Sequence, residues 1–157
     1  MRIYLVVLAA LLAICAIGSV DAVVPDNVAS VSAQSVETIE LNMPDVSSWT
    51  LNIGSNEKDT NFAARGNVNF DVYAREDGGD GKLQSGSTPM QNAIQIVTTN
   101  FNKYLSGTNQ QIAGTISYGP HGWPGLSFDL KYKQLLTYND PAGAYSMTIL
   151  YTGQKHV

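Results

Sequence analysis

Downstream of residue 36 the chain is patterned in twos. Ile39, Leu41 and Met43 share one side of an extended chain, with Glu40 and Asn42 between them, and Pro44-Asp45 ends the run. Trp49, Leu51 and Ile53 repeat the alternation, ahead of a polar loop expected over Gly54 to Asn61. Val68, Phe70 and Val72 then alternate with Asn67, Asn69 and Asp71, so that one face is dry and the other wet. After the Asp/Gly loop at 76–81 come the β-rich run Ala93 to Thr98, the series Ile112, Gly114, Ile116, Tyr118, and the series Leu126, Phe128, Leu130, Tyr132. Tyr145, Met147, Ile149 and Tyr151 close the chain. A period of two suits a half-buried strand and leaves a helix no continuous apolar stripe. Only 90–104 has a helical spacing, through Ile94, Val97 and Phe101, and there Pro89 and the β-branched residues of 96–99 favour strand and loop. About seven strands with glycine and proline turns predict an all-β antiparallel sandwich of two sheets, Ig-like or jelly-roll-like.

The N-terminal residues read as an export signal. One charge, Arg2, precedes the apolar run Leu5 to Ile17, which is short for a membrane span, and Val20 and Ala22 suit a signal peptidase. The reading is a signal peptide over 1–22, an N-terminal arm over 23–35 and a sandwich domain over 36–157, a length that suits one domain. The protein is then secreted, at the cell surface, with no membrane association after cleavage. The sole cysteine, Cys15, lies in the signal, where the bulky Ile14 before it argues against a lipid anchor, so the mature chain has no disulfide.

The net charge is −4, and it stays so after cleavage because Arg2 and Asp21 leave together. With no Lys/Arg cluster, nucleic acid and anionic membrane are poor partners. There is no His-Glu-x-x-His motif, and the two histidines are His121, in a Gly/Pro loop, and His156, at an end expected to fray. No catalytic residue, cofactor or metal site is therefore assigned. Asp77 and Asp80 invite a calcium reading, but the loop lacks the bidentate Glu of an EF-hand, and a solvated hairpin turn is favoured.

The segment Tyr132 to Thr152 resembles the closing hairpin of secreted prokaryotic β-sandwich domains. These include WxL-type surface domains, camelysin-like biofilm fibre proteins and related archaeal surface or pilus subunits. In them a Gln-containing strand is joined through Asp-x-x-Gly-x-Tyr, here Asp140 to Tyr145, to a last strand with Thr-Ile-x-Tyr-Thr, here Thr148 to Thr152. The Trp-x-Leu pair is missing in its usual place, since Trp49 and Leu51 stand in an N-terminal strand, and peptidoglycan binding is not carried over. On physical grounds alone, Asp140-Pro141-Ala142-Gly143 is a tight turn, beside which the Tyr145 hydroxyl can reach a turn carbonyl.

These readings converge on a non-enzymatic structural or adhesive protein that forms a homo-oligomer or homopolymer. Val28, Val31 and Val36, separated by small residues, can make a strand that a neighbour's open sheet edge accepts. Joining of this kind is what the resemblance to archaeal pilus subunits implies. Trp123, between two prolines and two glycines, is a second candidate contact with a neighbouring subunit. The alternative is a polysaccharide-binding module that uses Trp123 with Tyr118 or Tyr138.

Overall fold

The strand Leu126–Leu136 organises the protein because its alternation is the longest, with Leu130, Tyr132 and Gln134 buried and Ser127, Asp129 and Leu135 exposed. In the computed structural model, which describes residues 33–157 apart from Asp45, Ser47 and Gly78, this strand is the ninth of ten. The others are β1 (Ile39–Asn42), β2 (Gly54–Gly66), β3 (Phe70–Glu76), β4 (Gln84–Ser85), β5 (Thr88–Pro89), β6 (Gln95–Val97), β7 (Asn102–Tyr104), β8 (Gln110–Ile116) and β10 (Ile149–Lys155). Five strands form one antiparallel sheet in the order β1-β2-β9-β6-β7, three form a second in the order β10-β3-β8, and β4 pairs with β5. The described residues contain no helix, and the fold is the expected all-β sandwich. The signal peptide, Cys15, Val28 and Val31 lie outside the described residues.

Between the sheets, Phe62, Ile96, Leu130 and Tyr132 meet Phe70, Val72, Ala74, Ile112 and Ile116. Phe62 is 1% exposed and stacks on Phe128, its partner in the β2–β9 register, with ring centroids 5.0 Å apart. Burying such rings removes roughly 25 cal/mol of unfavourable hydration per Å² of apolar surface and supplies most of what holds the sheets together.

The structure departs from the sequence reading in five places. Gly54 to Asn61 is not a loop but the first half of β2, paired throughout with β9, where Glu57 faces Lys133 and Asp59 faces Lys131. Cross-strand charge pairing makes a strand of residues that have little β propensity. Trp49 to Ile53, by contrast, forms no strand and leads into β2 as irregular chain. Tyr145 and Met147 precede β10, in a segment whose β pairing is a single bridge between Ser146 and Gln84. Asp71 is not on a wet face: it is 7% exposed, because a β-bulge inserts one residue into β8 opposite it. His156, finally, is not frayed, as its N–H donates to Asn69 O at 2.8 Å.

Candidate functional site

Among the clefts of the described surface, two lie at opposite ends of β9. The larger, about 1050 Å³, lies where the irregular connection Pro44 to Ile53 faces the chain from Pro141 into β10. Its lining mixes polar and apolar groups, the apolar part coming from Val46, Trp49, Leu51, Leu83, Met147 and Ile149. Across it the Tyr132 hydroxyl of one sheet shares a hydrogen bond with the Tyr151 hydroxyl of the other. Burial pushes both phenols above their ordinary value, so they stay neutral and serve as a bridge rather than as acids.

The rim of this cleft is stiff. Asp140 is buried, and its carboxylate accepts from Gln91 N, Thr137 N and the Thr137 hydroxyl, each at 2.7 Å. Although burial raises its pKa, these donors hold the carboxyl below the usual range. The Tyr145 hydroxyl donates to Pro141 O at 2.7 Å, as the turn sequence predicts. β10 is at the edge of its sheet, so the strand leaving this rim has one side without a ladder partner.

The second cleft, about 470 Å³, lies at the other end of β2 and β9 and is lined by Glu40, Arg65, Tyr118, Pro120 and His121. Arg65 Nε donates to Glu40 Oε2, and its guanidinium lies 5.1 Å from the centre of the Trp123 ring. Trp123 is 62% exposed. Its loop enters β9 through Gly125, whose φ of 108° suits glycine and where a Cβ would stand 2.3 Å from Ala64 O. Tyr118 borders this cleft, whereas Tyr138, just past the other end of β9, is a strand length away, roughly 35 Å at 3.3 Å per residue. The two tyrosines paired with Trp123 in the sequence reading therefore belong to different ends, and only Tyr118 can act with it.

Val36 is 79% exposed, and its carbonyl accepts from Asn67 Nδ2, while Thr38 N donates to Asn67 Oδ1. These bonds and the ion pair of Lys155 with Glu37 fix the chain from Val36 onward. The acidic loop after β3 closes on itself: the buried Glu76 carboxylate accepts from Gly81 N, and a Cβ at Gly79 would collide with it. Among the described residues no group of three or more His, Cys, Asp or Glu side chains is placed to hold a metal ion.

Asp71, His156 and Thr115 form a constellation that the sequence reading missed. Asp71 Oδ1 accepts from Thr115 N at 2.7 Å, Asp71 Oδ2 lies 2.9 Å from His156 Nδ1, and His156 Nε2 is 3.5 Å from Thr115 Oγ1. The order of acid, imidazole and hydroxyl is that of a hydrolytic triad. The last distance is long for a hydrogen bond, and neither of the two clefts includes these residues. Thr115 has a φ of 42° at the bulge, so the carboxylate satisfies an N–H that the bulge takes from the ladder. No local pattern signals this, since the residues lie 41 to 85 positions from one another.

No family model matches the chain, and neither a search of curated proteins nor one of solved structures finds a match to it.

Proposed function

We propose that this is an exported, non-enzymatic structural protein of the cell surface whose copies join head to tail by strand addition. The observation that carries the reading is the cleft beside the unpaired edge of β10, whose lining includes a row of apolar side chains. The occupant is the segment Val23 to Ser35 of a neighbouring copy. Thirteen extended residues reach roughly 43 Å, enough to run past the cleft and still join Val36. A strand laid there gains ladder hydrogen bonds on one side and buries alternate side chains against Met147, Ile149 and Trp49.

Position supports an open polymer over a closed dimer. Val36, the root of the arm, is tied to Asn67 beside the second cleft, and the receiving cleft is at the opposite end of β2. Donor and acceptor are thus different surfaces of one subunit, a heterologous contact that propagates when its rotation does not close. Val28 and Val31 are the donated residues in this reading, and Val36 is the fixed root.

Negative-stain microscopy of the purified protein should show filaments. Deleting Val23 to Ser35 should yield a folded β-rich monomer, and a synthetic peptide of that segment should raise the melting temperature of the monomer as its concentration grows. The substitution Val31→Pro in the peptide should weaken the rescue, since proline cannot donate to a ladder. Filaments from the truncated protein would overturn the reading.

A further inference from the structure

The cleft beside Trp123 lies at the end of the subunit where the arm begins, away from the receiving cleft, and its chemistry differs. We infer that it is a binding site for a neutral polysaccharide, with the Trp123 and Tyr118 rings as stacking platforms and the Arg65–Glu40 pair as hydroxyl reader.

Three observations carry this. The first is that Tyr118, which lines the cleft, and Trp123, which adjoins it through Arg65, are 66% and 62% exposed, where water contact disfavours them and folding does not need them. The Trp123 ring is held in place by Arg65 over one face and by Pro120 and Pro124, which stiffen its loop, while the backbone of Tyr118 is anchored where its N–H donates to Asn69 Oδ1 at 3.0 Å. A ring fixed before binding loses little freedom on meeting the C–H face of a pyranose, so most of the contact energy remains as affinity.

The second observation is the ion pair. Arg65 Nε and Glu40 Oε2 meet directly, which leaves the other guanidinium N–H groups and the second carboxylate oxygen beside the groove. A donor next to an acceptor matches adjacent sugar hydroxyls, each of which both gives and accepts a hydrogen bond. The third is charge. The pair is neutral as a unit and the protein carries −4 overall, so the groove offers no attraction to a phosphorylated or uronate polymer. Thr38 and Asn67 also line the groove, but their side chains are engaged with the backbone at Val36 and Thr38, and they shape its floor.

Native-gel affinity electrophoresis tests this with laminarin, hydroxyethyl cellulose, galactomannan and dextran as separate neutral probes and alginate as an anionic one. At least one neutral polymer should retard the protein. Trp123→Ala should raise the dissociation constant for that polymer at least about tenfold, Tyr118→Ala should raise it by less, and Tyr138→Ala, at the far end, should leave it unchanged. Both rings are exposed, so unaltered thermal melts are expected for the variants. Migration unaffected by every neutral polymer, retardation by alginate alone, or normal retardation of Trp123→Ala would each overturn the inference. So would a Trp123→Ala protein that binds as before but no longer forms filaments, which would make the ring a subunit contact.

Discussion

In the five-stranded sheet the β2–β9 ladder turns its charges to solvent and its rings inward, while in the three-stranded sheet β3 buries carboxylates and places them against backbone N–H groups. Glu57, Asp59, Lys131 and Lys133 pair across the outer face of the first sheet. Asp71 and Glu76 turn into the second, where one serves Thr115 N at the bulge and the other Gly81 N in the loop. The first sheet is thus stabilised by apolar contact that tolerates changes on its wet face. The second depends on particular hydrogen bonds, each of which leaves a backbone donor without its partner if the carboxylate is removed.

The sharpest way to break this contrast is in the rings. Phe62→Ala deletes a fully buried side chain and its stack on Phe128, and should cost about 3–5 kcal/mol in urea unfolding. Phe128→Ala should cost less, because that ring is only half-buried. Asp129→Ala, outward on β9, should change stability by less than ~0.5 kcal/mol. If Asp129 proved the more costly residue on that strand, the register would be off by one and the inward assignments of β9 would be reversed.

Next in size is Asp71. Removing its carboxylate strands Thr115 N–H and His156 together, so Asp71→Ala should cost roughly 1.5–3 kcal/mol at pH 7. Burial raises the pKa of this carboxyl, but the bonds from His156 and Thr115 N hold it below its ordinary value. A carboxyl lowered in the folded state contributes stability that is present above its unfolded pKa, about 3.9, and is lost as pH falls through the folded value. The gap between the wild type and Asp71→Ala should therefore narrow as unfolding is measured at successively lower pH below 4. A gap that widened on acidification would refute the role given to the carboxylate.

The same contrast explains which parts of the fold were readable in advance. Along β9 and β1 the alternation of apolar and polar residues is a local signal, and it survives because one face of each packs on the core. Tyr145 and Pro141 were legible as well, since a turn brings near neighbours together. The first half of β2 was not, because Ser55 to Asn61 is a strand by virtue of its partners on β9, the charged Lys131 and Lys133 among them, 68 to 80 residues away in sequence. Asp71 read as a wet-face residue for the same reason: what buries it is an extra residue in β8 and a histidine at the end of the chain. Trp49 and Met147 carry the pattern of strands but border a cleft, where the edge beside them has no partner within the subunit. Of the candidate sites, Trp123 could be singled out from its loop composition, while Arg65 and Glu40 came into view only when β1 paired with β2.

The smallest effect should come from the outer face of the β2–β9 ladder, and its value lies in how it responds to salt. Glu57 receives hydrogen bonds from Lys131 and Lys133, both at 2.7 Å, and these two cations lower its carboxyl from 4.5 to about 2. Because the folded pKa lies below the unfolded one, the contribution is complete above pH 4.5 and disappears as the pH falls toward 2. The group is exposed, however, so solvent and ions screen it, and exposed pairs of this kind contribute little. Glu57→Gln should lower the melting temperature less than Asp71→Ala does, and in 1 M sodium chloride, where charges are screened within roughly 3 Å, its deficit should vanish. The deficit of Asp71→Ala should persist in the same salt, since Asp71 is buried and its hydrogen bond to Thr115 N does not depend on distant charge. Equal sensitivity of the two variants to salt would mean that the sheets do not differ in how they hold their carboxylates, and the contrast drawn between them would fail.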